Sequence, residues 1–260
     1  MKGKTKAVLF GAAAAAGVSL AGLLEAGRRY EWGPFFWLNF KDREKEITEI
    51  YDSRRRKREI VFYGASNFCR WAEMEEDMKP FTVQNHGFGG STDAELMRSA
   101  KKLLYPYEPA ILVLQTASND CARMMCRKSR LFERVLSRKI RMLETFRREL
   151  PDTYIVVISG VLMPGRRQYD GIIKRINQAV KGCASQMDHV YYVDAEDMTV
   201  KENGKHRREM FIEDGVHFTR EARVRWADEY IKPVLDKVIS EHPELAYLKV
   251  LDYNTDTGCR

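Results

Sequence analysis

The chain has few of the residues that build disulfide or metal frameworks. It carries five cysteines in 260 residues, with no Cys-x-x-Cys pair and no His-x-x-x-His. An odd count leaves at least one thiol unpaired, and a helical turn would hold Cys121 and Cys126 apart. Cys69, Cys121, Cys126, Cys183 and Cys259 therefore read as small hydrophobes rather than bridges or ligands. No metal or other cofactor is implied. No internal repeat or low-complexity linker occurs, which points to one main domain and not an array. An aromatic-basic motif of the nucleic-acid-binding kind is missing too. The excess of 44 Lys and Arg over 37 Asp and Glu gives a net charge of +7. These charges are scattered or set beside acids, as on a solvated mixed surface, and no nucleic-acid partner is expected.

Long apolar runs are also scarce, with one exception. Lys2, Lys4 and Lys6 precede an uncharged stretch with a polyalanine centre at residues 7–24, and the next charge is Glu25. A short basic region before an apolar run reads as an export signal or a membrane anchor, with a buried soluble helix as the third possibility. Ser19-Leu20-Ala21 offers the small residues that a signal peptidase needs. No cysteine follows the run, so a lipoprotein anchor is not expected. The lysine side would stay cytoplasmic and the rest would face outward, secreted or anchored to the membrane. Aromatics at residues 30–40 would lie at the headgroup level or pack on the main domain. Residues 41–58 read as a charged helical connector with Ile47, Ile50 and Tyr51 on one weak apolar face, and its Arg54–Arg58 run as solvated surface.

From Glu59 onward, strand-like and helix-like stretches alternate. The apolar, β-branched runs fall at residues 60–63, 81–84, 111–115, 154–159 and 190–193. Helical stretches are expected at 92–104, 129–150, 169–184 and 220–239, the last capped by Thr219. This alternation predicts a three-layer α/β/α sandwich around a roughly five-stranded parallel sheet, its strands buried on both faces.

What is present in quantity is a set of chemically suggestive turns. Val61-Phe62-Tyr63-Gly64-Ala65-Ser66 runs an apolar strand into a small-residue turn topped by a hydroxyl. Asn85-His86-Gly87-Phe88-Gly89-Gly90 is a glycine-dense turn after the second strand, and Thr116-Ala117-Ser118-Asn119 follows the third. Asp214-Gly215-Val216-His217 puts a carboxylate and an imidazole three apart, so one loop can hold both. In an open parallel sheet, loops at the carboxyl ends of the strands meet along one edge. Ser66, Gly90, Asn119, Asp214 and His217 all fall there. His86 is the rival base, without an acid nearby in sequence, while His189, His206 and His242 read as surface.

These four blocks, in this order, resemble the SGNH (GDSL-type) hydrolases over residues 58–230. The resemblance implies a flavodoxin-like fold and a serine ester hydrolase. It implies Ser66 as nucleophile, His217 as base and Asp214 as orienting acid. It also implies an oxyanion hole from the backbone N–H groups of Ser66 and Gly90 and the amide of Asn119. Two turn positions depart from the pattern: Ala65 stands where the family usually has Asp, and Ala117 where it usually has Gly. The expected organisation is a signal or anchor at 1–27, a connector at 28–57, the hydrolase domain at 58–245 and a tail at 246–260. Substrates left open are a small-molecule ester, a lipid ester or an acetylated glycan. The competing readings are acyl transfer to a glycan alcohol, a non-catalytic accessory protein on the same fold, and a membrane-tethered structural protein.

Overall fold

The computed structural model describes residues 38–54 and 56–250. The expected export segment at 1–27, the aromatics at 30–37, Cys259 and the tail beyond residue 250 lie outside them. Among the described residues, no helix is long and apolar enough to cross a membrane. The chain divides into two units, residues 1–46 and 47–260, and, residues 38–46 apart, the features below belong to the second.

Five strands form one parallel sheet: β1 (Ile60–Gly64), β2 (Val83–Asn85), β3 (Ile111–Gln115), β4 (Tyr154–Ile158) and β5 (Val190–Val193). Their order is β2-β1-β3-β4-β5, the doubly wound arrangement with its switch point between β1 and β3. Ile60 pairs with both Val83 and Ile111, and Ile111 pairs with Tyr154, so the carboxyl ends of the strands align. The helices are α1 (Leu38–Ile50), α2 (Ser66–Cys69), α3 (Met74–Asp77), α4 (Asp93–Leu103), α5 (Ser118–Arg123), α6 (Leu131–Glu149), α7 (Asp170–Ala184), α8 (Glu196–Thr199), α9 (Arg220–Trp226) and α10 (Lys232–Glu241).

Side-chain alternation along the strands splits the core into two layers. Ile60, Phe62, Ile111, Val113 and Val156 face α2, α3, α9 and α10 in one apolar cluster. Within it Trp226 stacks on Trp71, with centroids 6.0 Å apart, and on Phe68 at 5.4 Å. On the opposite face, Tyr63 reaches α4 by donating to the Leu96 carbonyl at 2.7 Å and meets Phe146 of α6 at 6.1 Å. The expected three layers are therefore present. Strands β1, β3 and β4 are buried throughout, but β5, at the sheet edge, is fully buried only at Val193.

Several boundaries differ from the sequence reading for identifiable reasons. Phe81 is not in β2; it pairs antiparallel with Lys249 outside the sheet. The expected helix at 220–239 is two helices joined by a π-turn at Ala227–Ile231. Pro233 lacks the N–H that would reach back to Glu229, and its ring crowds that carbonyl. At about 100° per residue, Trp226 and Ile231 would stand on different faces of a regular helix. The wider turn stacks them, and both are buried. Arg56, expected as solvated surface, is half-buried and pairs with Glu59 at 2.8 Å. Cys69, Cys121, Cys126 and Cys183 are unbridged, and Cys121 is buried.

One buried cluster among the described residues carries charge. Lys139 of α6 is 4% exposed and pairs with Asp93 at 2.8 Å, with the fully buried Asp120 carboxylate accepting the Asp93 N–H at 3.1 Å. Burial, and then the neighbouring Asp93, push the Asp120 carboxyl above its usual range, while Lys139 opposes them. A carboxyl raised in this way favours the fold below its unfolded value, and that contribution fades as pH climbs through the folded value. Replacing Lys139→Met removes the buried cation beside both acids and leaves Asp120 only the half-exposed Arg138, at 3.5 Å. Urea unfolding is expected to register a loss of about 3–5 kcal/mol, larger at pH 8 than at pH 5. A loss that is independent of pH would contradict this account.

Candidate active site

Ser66 is the first residue of α2, directly beyond the end of β1. The next residue, Asn67, is buried, and its side-chain oxygen accepts the Phe218 N–H at 3.4 Å. That contact ties the hydroxyl's turn to a loop 151 residues away. The loop is closed at its base, where Phe211 and Phe218 pair antiparallel and both rings enter the core. Inside the loop, Ile212 N–H donates to the His217 carbonyl at 2.9 Å. Gly215 turns the chain with φ +64°. Its carbonyl accepts the Gly165 N–H at 2.9 Å, and a Cβ on Gly165 would lie 2.5 Å from the Asp214 carbonyl. The approach is close enough to require glycine.

This framework brings together the three side chains read from the sequence. His217 Nε2 is 2.9 Å from Ser66 Oγ, and His217 Nδ1 is 2.6 Å from Asp214 Oδ2. The other carboxylate oxygen, Oδ1, accepts the backbone N–H groups of Val216 at 2.8 Å and His217 at 3.0 Å. Burial works against ionisation of Asp214, but the His217 ring and these two N–H groups outweigh it and hold the carboxyl below its usual range. An ionised carboxylate on Nδ1 keeps the proton there and leaves Nε2 to accept one from Ser66. The ring is mostly covered, at 12% exposure, while Asp214 at 39% remains in contact with water.

The glycine-rich turn is fastened to the end of β1. The Gly64 carbonyl accepts both the Phe88 N–H at 3.0 Å and the Ser91 hydroxyl at 3.2 Å. Gly90 lies between these two anchors, whose shared acceptor, Gly64, is two residues before Ser66, and it has φ +68°. That left-handed backbone suits glycine. Asn119 stands in the first turn of α5, where its side chain caps no helix. Its Nδ2 donates to the Ser91 carbonyl at 3.0 Å, and its Oδ1 accepts from Arg166 at 2.7 Å. Arg123, on the same helix, donates to the Gly90 carbonyl at 2.6 Å and pairs with Glu95. The sequence reading missed Arg123 and Arg166. Arg166 follows β4 at the same edge of the sheet, and its topological position is the signal that could have flagged it.

His86, the rival base, is buried and walled off. Its ring nitrogens meet the Leu103 carbonyl at 2.6 Å and Gln84 Oε1 at 3.0 Å, between the rings of Tyr51 and Tyr107. His189 is exposed, as expected. His206 and His242 are half-buried: His206 lies 3.0 Å from the Asp170 carboxylate, and His242 lies between the hydroxyls of Tyr154 and Tyr191. Among the described residues, no three His, Cys, Asp or Glu side chains gather so as to hold a metal ion.

A doubly wound α/β/α sandwich with a serine, an imidazole and a carboxylate in line at the carboxyl edge of its sheet is a serine-hydrolase architecture. The profile of the GDSL-like lipase/acylhydrolase family matches residues 47–223, and the chain belongs to that family. Solved structures agree on the fold. A protein from Streptococcus pneumonia, provisionally assigned as a platelet activating factor, superposes with TM-score 0.64 at 19% identity, over 86% of this chain and 99% of its own. A GDSL-like lipase from Bacteroides thetaiotaomicron gives 0.59 at 20%, over 77% and 98%. An acetylxylan esterase from Geobacillus stearothermophilus gives 0.50 at 12%, over 66% and 91%. At such identities the likeness is one of fold. No curated protein matches the chain.

The departure at Ala117 has a structural cost. This residue caps α5 with φ +152° and ψ −48°, a backbone that a side chain disfavours, in a block where the family usually has glycine. The strain is on the order of 1–3 kcal/mol. Ala117→Gly relieves it but adds unfolded-chain entropy of about 0.4–1 kcal/mol and removes a buried methyl worth about 0.8 kcal/mol. Denaturant titration is therefore expected to find a net change between a loss of about 0.8 and a gain of about 1.8 kcal/mol. A loss of more than about 1 kcal/mol would mean that this backbone is not strained.

Proposed function

We propose that this protein is a carboxylic ester hydrolase that works through an acyl-enzyme, with Ser66 as nucleophile, His217 as base and Asp214 as the acid that orients it. The observation that carries this reading is the unbroken line from Asp214 Oδ2 through both ring nitrogens of His217 to Ser66 Oγ, with steps of 2.6 and 2.9 Å. As Ser66 Oγ bonds to the ester carbonyl carbon, its proton passes to His217 Nε2. The negative charge that builds on the carbonyl oxygen is met by the backbone N–H groups of Ser66 and Gly90 and by Asn119 Nδ2. Collapse of this intermediate breaks the bond to the alcohol, which leaves with the proton from Nε2. Water then repeats the sequence on the acyl-enzyme, freeing the acid and restoring Ser66. Asp214 remains ionised throughout and steadies the imidazolium formed at each step.

The basic, apolar start of the chain supports export, with the enzyme acting outside the cytoplasm, secreted or held at the membrane. An ester on a cell-surface or environmental glycan, such as an O-acetyl group, fits that location, and the fold shared with an acetylxylan esterase is compatible with it.

Fluorophosphonate labelling tests the nucleophile. The wild-type protein is expected to label and Ser66→Ala to remain unlabelled, with turnover of p-nitrophenyl acetate reduced by roughly 10⁴–10⁶. A labelled Ser66→Ala variant would remove Ser66 from the mechanism. In the wild type, kcat/KM is expected to rise with pH along a single titration between about pH 5 and 8, because only a neutral imidazole accepts the proton. Asp214, held below the usual carboxyl range, is already ionised there. A flat profile across that window would count against His217 as the base.

A further inference from the structure

Arg166 lies in the turn after β4 and reaches the amide of Asn119. Its Nη1 donates to Asn119 Oδ1 at 2.7 Å and to Ser118 Oγ at 2.9 Å. At the other end of the same amide, Nδ2 donates to the Ser91 carbonyl at 3.0 Å. A guanidinium only donates, and a backbone carbonyl only accepts. The amide is therefore typed at both ends. Turned by half a rotation, it would set donor against donor at Arg166 and acceptor against acceptor at Ser91. One Nδ2 hydrogen serves Ser91, and the second remains for a substrate oxygen.

We propose that Arg166 is a positioning residue for the oxyanion site: it fixes the Asn119 amide with its donor toward the reacting carbonyl. The inference rests on the ester-hydrolase reading above and adds to it a residue outside the four sequence blocks. Two physical effects contribute. The charged hydrogen bond to Oδ1 draws electron density through the amide, which makes the Nδ2 hydrogens better donors. It also sets the orientation before the substrate arrives, so no reorganisation is needed as charge develops.

The placement of Arg166 is itself constrained. Gly165, the preceding residue, donates its N–H to the Gly215 carbonyl at 2.9 Å. Neighbouring residues of one turn thus touch the loop that carries Asp214 and His217 and the amide of Asn119. The base and the oxyanion donor share a support.

The test is a double-mutant cycle on the full chain, with kcat and KM measured for p-nitrophenyl acetate. Arg166→Met is expected to lower kcat roughly 10- to 100-fold, less than the 10²–10³ typical of deleting an oxyanion donor, with KM changed by no more than about threefold. Arg166→Lys keeps a donor and a charge but loses the planar fork, and is expected to recover part of the rate. In an Asn119→Ala background, Arg166→Met is expected to cost less than about threefold more, since the amide it acts on is gone. Arg167→Met, on the exposed neighbour, is expected to leave the rate unchanged. Losses that multiply across the cycle would overturn the proposal, and so would an unchanged Arg166→Met. A rise in KM with kcat intact would overturn it in favour of a direct substrate contact. If Arg166→Met fails to fold, as judged by thermal unfolding, the cycle is read with Arg166→Lys in its place. A wild type that takes up no fluorophosphonate and turns over no ester sinks the hydrolase reading, and this proposal with it. A wild type that labels while the cycle is additive sinks only the role of Arg166.

Discussion

His217 can span a carboxylate and a hydroxyl because the backbone that carries it is fastened on three sides. The Phe211–Phe218 pairing closes the base of its loop, Gly165 backs the Asp214–Gly215 peptide, and Asn67 binds the Phe218 N–H beside Ser66. Imidazole hydrogen bonds weaken quickly with distance and angle, so a slack loop would lose the arrangement on thermal motion alone. The fastening is made of backbone contacts, one neutral side-chain amide and apolar rings. None of its parts has to ionise for the geometry to hold.

The opposite wall of the site is organised differently. Residues Gly90 to Asp93 are gripped by α5 at successive points: Arg123 on the Gly90 carbonyl, Asn119 on the Ser91 carbonyl and Asp120 on the Asp93 N–H. Beneath them lies the buried Lys139–Asp93 pair. Polar groups out of contact with water are stable only when matched, and each match fixes a direction. This wall therefore gains orientation from charge, at the expense of dependence on Lys139. Two depressions, of about 590 and 320 Å³, are lined by other residues. Ser66 and His217 border neither of them.

The sheet was legible from the sequence because its strands are short apolar runs that lie between turns. Ile111–Gln115 and Val190–Val193 matched to the residue. That Ser66, Asp214 and His217 meet was legible because parallel topology sends every strand exit to one edge, and their chemical types are distinctive. Their mutual distances were not, since 151 residues separate the hydroxyl from the ring and nothing local encodes that contact. The Arg166 contact was hidden for a related reason: an arginine in a polar turn has no periodicity to read, and only the folded turn reveals that it faces Asn119. Phe81 was misread because its β-like neighbourhood pairs with Lys249, a partner far along the chain. His206 and His242 were misread because the groups beside them, Asp170 for the first and Tyr154 and Tyr191 for the second, are distant in sequence.

The π-turn at Ala227–Ile231 has a bearing on how this chain tolerates length change. It adds one residue to a helical circuit while leaving Trp226 and Ile231 on the core side. Deleting a single residue from this circuit would shorten the path to regular α-geometry and keep the buried stripe in phase on either side. An insertion there would rotate Leu235 and Val238 away from the sheet. Drift in helix length is thus permitted in one direction only, towards a shorter final helical run.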